Sequence, residues 1–99
     1  MDMFVIYLTD QARHQLNTLK SDRGLNKRYR AVSKGLCLLA ENPRHKGLQT
    51  HEFTTLKGPR GEKVFEAYVE QATPAAYRIF WCYGPEKDNI TILAITKHP

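Results

Sequence analysis

Val64-Phe65-Glu66-Ala67-Tyr68-Val69-Glu70-Gln71 places Val64, Glu66, Tyr68 and Glu70 on one side of an extended chain and Phe65, Ala67, Val69 and Gln71 on the other. That period of two is the mark of a strand, here with ionisable groups gathered on one face. Two more strand-like runs follow, Ala76 to Tyr83 (AYRIFWCY) and Ile90 to Thr96 (ITILAIT). Thr73-Pro74 and the stretch Gly84-Pro85-Glu86-Lys87-Asp88-Asn89 separate them, and both carry turn chemistry. The three runs therefore read as an antiparallel meander.

Upstream lies Leu56-Lys57-Gly58-Pro59-Arg60-Gly61-Glu62-Lys63, read as a flexible basic loop that presents Lys57, Arg60 and Lys63. It is not a phosphate loop of the Walker type, whose spacing and strand-to-helix context are both missing. Basic loop residues can contact phosphates, and ordinary solvated turn residues look the same in sequence. Further upstream, after a polar connector from Arg44 to Gln49, the period changes to that of a helix. Leu25, Tyr29, Val32, Leu36 and Leu39 recur at helical spacing, and Asn42-Pro43 ends the run because the residue before proline is driven out of the α region. Ala12, Leu16 and Leu19 mark an earlier helix that ends near Ser21 to Gly24, where glycine would supply a left-handed cap. Phe4 to Leu8 (FVIYL) is a strand leading straight into that helix through the N-cap candidates Thr9 and Asp10.

The resulting order is β-α-α-β-β-β: an α+β fold with an N-terminal strand, a helical hairpin and an antiparallel three-stranded meander. The helices cover one face of the sheet, and the other face is left for function or for a partner. Ninety-nine residues make one domain spanning 1–99, with room for one core.

Charge narrows the range of partners. The formal net charge is +5, and between Arg13 and Lys63 there are twelve basic and four acidic residues, so the excess sits on one region and suits a polyanion or an acidic protein. Cys37 and Cys82 both lie in apolar runs, where a thiol serves as a small buried hydrophobe; a disulfide is not expected. No closely spaced Cys/His set exists, so neither a structural zinc site nor any other metal is expected. No cofactor is expected either. The N-terminus lacks the features of a signal peptide and no apolar run is long enough to span a bilayer, so the expected location is the cytoplasm, with no membrane partner.

Arg78 stands in the middle of an apolar strand, and a half-buried arginine needs a partner or a purpose. An ion pair with Glu66 or Glu70 on the adjacent strand is one reading; a clamp on a phosphate, for which a planar guanidinium is well shaped, is the other. His98 follows the last strand, beside Lys97, whose like charge would make the imidazole easier to deprotonate. Glu66 is its candidate complementary carboxylate, if the strands bring both to one face.

The strand Val64-Phe65-Glu66-Ala67-Tyr68-Val69, the strand Tyr77-Arg78-Ile79-Phe80-Trp81 and the final run Ile90 to His98 together resemble the RelE/ParE toxin superfamily of bacterial type II toxin-antitoxin systems. The likeness extends to Leu56-Lys57-Gly58 and to the N-terminal strand and helical hairpin. The resemblance implies a metal-independent endoribonuclease that cleaves mRNA, commonly on the ribosome, and is neutralised by a cognate antitoxin protein. Under it, Arg78 contacts the scissile phosphate and His98 falls where members carry a C-terminal catalytic residue. Glu66 and Tyr68 occupy the strand that bears two lysines in the best-known RelE proteins, a departure that leaves a Glu/Arg/His arrangement. The implied reaction is attack of a ribose 2′-hydroxyl on the adjacent phosphate, with either Glu66 or His98 as general base and the other as general acid, and Arg78 with Lys57 or Lys63 balancing charge. Lys57, Arg60, Lys63 and Lys97 would bind substrate, and Tyr68 or Tyr83 would stack on a base. The alternatives are a ParE-like inhibitor of DNA gyrase and a non-catalytic RNA- or protein-binding domain on the same scaffold.

Overall fold

The computed structural model describes residues 3–70 and 76–97. The chain runs β1 (Val5–Leu8), α1 (Asp10–Ser21), a 3-10 turn (Arg23–Leu25), α2 (Asn26–Glu41), a second 3-10 turn (Lys46–Leu48), β2 (His51–Lys57), β3 (Lys63–Tyr68), β4 (Tyr77–Tyr83) and β5 (Asn89–Lys97). Among the described residues these strands form one sheet of order β1-β5-β4-β3-β2. β1 runs parallel to β5, and every other neighbouring pair is antiparallel.

The α+β reading and the meander β3-β4-β5 stand. The sheet has one strand more than the sequence suggested, because β2 extends the meander into a hairpin with β3. The supposed flexible loop is correspondingly short: Leu56 and Lys57 end β2, Lys63 begins β3, and a tight turn joins them. Gly58 donates its N–H to the Glu62 carbonyl at 2.9 Å, and Gly61 sits at φ +83°, a conformation that only glycine takes without strain. β2 escaped notice because HEFTTLK has no apolar alternation; only Phe53 among its residues is even half-buried, as suits an edge strand.

The capping expectations are met at one end of α1 and not at the other. The Thr9 hydroxyl oxygen accepts from the Ala12 N–H at 3.1 Å and donates to the Leu93 carbonyl at 3.0 Å. One side chain thus starts α1 and ties it to β5, satisfying a helix N–H that would otherwise be orphaned. At the other end Gly24 keeps out of the left-handed region: Asp22 breaks the helix in an extended conformation, and its carboxylate accepts from the Gly24 N–H at 2.9 Å. α2 ends as read, with Asn42 extended before Pro43.

Both helices lie on one face of the sheet. Ala12 and Leu19 of α1 and Val32 and Leu39 of α2 form a single core with Ala67, Ile79, Trp81, Ile90, Ile92 and Ile95. Burying each large apolar side chain there contributes about 1.5–3 kcal/mol. α2 comes nearest the sheet at Gly35, where a Cβ would stand 2.4 Å from Val69 Cγ1 and 3.3 Å from Ile79 Cδ1. Cys82 is buried as expected, and burial pushes its thiol pKa up, with the charge of Glu62 adding to the effect. Cys37 is exposed, contrary to expectation: it falls on the outer side of α2, off the stripe that meets the sheet.

Candidate functional site

Register decides which side chains share the helix-free face. Glu66 pairs with Phe80 and with His51, and Tyr68 pairs with Arg78. Since Ala67 and Ile79 point at the helices, the alternate residues Glu66, Tyr68, Arg78 and Phe80 point away from them, and His51 and Phe53 of β2 join that face. Arg78, singled out in the sequence, is therefore not under the helices.

Four side chains converge there. Glu66 has no exposed surface at all. His51 Nε2 lies 2.8 Å from Glu66 Oε1, well within ion-pair range. Arg78 Nε stands 3.9 Å from Glu66 Oε2, at the outer limit of an ion pair. Its guanidinium carbon lies 3.8 Å from the centroid of the Tyr68 ring, and Nη1 donates to the carbonyls of Glu70 at 3.3 Å and Tyr77 at 3.2 Å. Arg78 Nε finds no hydrogen-bond partner among the described residues. The His51 ring meets the Tyr68 ring edge-on with centroids 5.3 Å apart.

The two readings of Arg78 are thus joined. The Glu66 pairing exists, yet it is too long for the bidentate fork that would use up the guanidinium, which is held flat against Tyr68 with hydrogen-bonding capacity left over. Glu70 takes no side-chain part in it; its Oε1 accepts from Arg28 Nε at 3.0 Å and from the Tyr77 N–H at 2.9 Å. What results is a cation beside an imidazole–carboxylate couple, the equipment for handling a proton next to an anion.

The other sequence candidates are dispersed. Lys63 lies at the opposite end of β3 from Tyr68, about 17 Å along the strand. Arg60 sits in the turn, its N–H donating at 2.7 Å to the Glu62 carboxylate, which the main-chain N–H groups of Glu62 and Arg60 hold below its ordinary pKa. Lys57 flanks a depression on the helix-free face with Phe80 and Ala94. Lys97 ends β5 opposite Tyr77, next to the Arg78–Thr96 pair. Tyr83 belongs to the helix-side set of β4 and is not brought to Arg78; it packs on Trp81, Phe65 and Phe4 instead. His98 lies outside the described residues. His51 went unrecognised in the sequence, and the only signal for it was the β-branched pair Thr54-Thr55 after Phe53, which could have extended a strand back to it.

The fold is that of RelE/YoeB/ParE-type toxins. The RelE of the archaeal RelE–RelB complex from Pyrococcus horikoshii OT3 is matched over 96% of this chain and 94% of its own, at 14% identity and a TM-score of 0.64. A YoeB/ParE toxin from Agrobacterium tumefaciens is matched over 96% and 99%, at 7% identity and a TM-score of 0.70. YoeB from the Staphylococcus aureus dimer is matched over 98% and 99%, at 13% identity and a TM-score of 0.64. No protein-family model matches the sequence, and comparison with curated proteins gives no match. Among the described residues no helix is long and apolar enough to cross a membrane, and no cluster of three or more His, Cys, Asp or Glu could hold a metal ion.

Proposed function

We propose that this chain is the toxin of a type II toxin-antitoxin pair and acts as a metal-independent endoribonuclease on mRNA through its helix-free sheet face. The observation that carries the reading is the placement of Arg78 beside the His51–Glu66 couple on that face. A guanidinium with donors to spare suits a phosphodiester, and a basic chain suits a polyanion.

In the proposed reaction the ribose 2′-oxygen attacks the adjacent phosphorus. The P–O5′ bond breaks, leaving a 2′,3′-cyclic phosphate and a 5′-hydroxyl. Glu66, having no exposed surface, exchanges no proton with substrate directly; His51, whose side chain is 48% exposed, is the group that touches it. His51 takes the 2′-proton while Glu66 stabilises the imidazolium, and Arg78 balances the charge that grows on the phosphoryl oxygens. His98 is retained as the acid that protonates the O5′ leaving group, with Lys97 near the phosphate path. An acidic antitoxin segment covering the basic surface would keep the protein silent, in the cytoplasm where mRNA and ribosomes are.

Primer extension on mRNA under translation tests the proposal. Wild type should cut, and His51→Ala and Arg78→Ala should each lower the rate by about 10²- to 10⁴-fold. Growth arrest with intact mRNA and altered DNA supercoiling would overturn the proposal in favour of gyrase inhibition. A folded wild type that neither cuts nor arrests growth would leave a binding domain.

A further inference from the structure

On the other side of edge strand β2, away from Arg78, the sheet carries a second concavity of about 510 Å³, within the range of small-molecule sites. Phe65, Trp81 and Tyr83 line it from the sheet, and the connector after α2 supplies Arg44, His45 and Lys46 opposite. The aromatic rings form one continuous group. Phe65 and Trp81 stack with centroids 4.9 Å apart, and Tyr83 meets both edge-on at 5.8 and 4.9 Å. Trp81 is almost wholly buried, so the surface offered to a ligand is that of Tyr83, 39% exposed, and of half-buried Phe65.

Polar groups are placed to complement such a ligand. Arg44 and Lys46 are exposed cations. His45 Nδ1 accepts from the Gly47 N–H at 3.0 Å, which leaves the hydrogen of a neutral ring on Nε2, as a donor. Glu52, also in the lining, is an acceptor suited to an exocyclic amine. Trp81 Nε1 is a buried donor without a hydrogen-bond partner among the described residues, a condition a native core rarely tolerates unless something else satisfies it.

We infer that this concavity binds an unpaired nucleotide, its base against Tyr83 and Phe65 and its phosphate against Arg44, His45 and Lys46. A flat apolar surface beside cations matches no ordinary metabolite class as well as it matches a base joined to a phosphate. The ligand is either a free mononucleotide or one residue of a single strand. His51 lines this concavity as well as holding Glu66, so a strand could cross β2 from one site to the other. The site does not depend on whether the helix-free face cleaves RNA.

Trp81 is the sole tryptophan, so its emission reports occupancy. The full chain is titrated with adenosine 5′-monophosphate and, separately, with a 2′-O-methylated hexanucleotide, which has no 2′-hydroxyl to attack and so binds without cleavage. Saturable quenching by both assigns a free nucleotide; quenching by the hexanucleotide alone assigns a strand. In either case Tyr83→Ala should weaken binding roughly 5- to 100-fold while Tyr83→Phe retains it. The pair Arg44→Gln, Lys46→Gln should flatten the salt dependence. Absence of quenching by both probes, or unchanged affinity in a Tyr83→Ala variant with wild-type circular dichroism, overturns the inference.

Discussion

Replacing Arg78 should reveal how strongly the buried carboxylate depends on it. Glu66 is fully buried, and Arg78 Nε stands 3.9 Å from its Oε2. Two unit charges at that separation attract by about 4 kcal/mol at an effective dielectric near 20. Taking one partner from a buried pair typically costs about 3–5 kcal/mol, because the remaining charge stays desolvated. His51 remains 2.8 Å from Glu66 and softens the loss, so Arg78→Ala should destabilise by about 4 kcal/mol, stacking and hydrogen bonds included. In a Glu66→Gln background no carboxylate is stranded. Arg78→Ala then loses only the Tyr68 stacking and two hydrogen bonds to carbonyls, about 2 kcal/mol. The coupling is therefore about 2 kcal/mol, or roughly 8–16 °C in melting temperature for a domain of this size. Urea unfolding of wild type, both single variants and the double variant at neutral pH and low salt measures it. If Arg78→Ala costs the same in both backgrounds to within about 0.5 kcal/mol, Glu66 and Arg78 do not act as a pair, and the charge balance drawn here for the site is wrong.

Gly35→Ala should destabilise by about 1–2 kcal/mol in thermal melts: its Cβ would press on Val69, a stiff β-branched neighbour, and this outweighs the roughly 1 kcal/mol of helix propensity gained. Equal or higher stability would show that α2 is free to lift from the sheet. A disulfide-exchange reagent at pH 8 should titrate exposed Cys37 quickly and Cys82 only after unfolding, with peptide mass spectrometry as the check. Because the folded Cys82 pKa is raised, the stability it contributes is complete below the ordinary value of 9.0 and declines as pH rises through the folded pKa; Cys82→Ala should remove that decline. Glu62 runs the other way. Its folded pKa is lowered, so its contribution is complete above the ordinary 4.5 and lost as pH falls through the folded value, and the gap between wild type and Glu62→Gln in melting temperature should close on acidification from pH 6 to pH 3.

What could be read in the sequence and what could not divide along physical lines. Arg78 and Glu66 were legible because each interrupts an apolar pattern: a charge where alternation or burial demands none must be paired or used, and the structure pairs them loosely. Helix α2 was legible because its stripe is set by the core it covers. β2 carried no such imprint, since an edge strand buries little and its pairing to β3 is irregular between Glu52 and Lys57. His51 was lost with it. Tyr83 was grouped with the residues around Arg78 for a related reason: an aromatic residue at a strand end reveals its parity only when the strand's register is known, and that register sends it to the helix side with Trp81, away from Arg78. Periodicity records what the core requires, so the residues it missed are those at the margin of the sheet. His51 stands at that margin, 2.8 Å from Glu66 on one side and lining the aromatic concavity on the other, which makes the edge of β2 the place where the two faces can communicate.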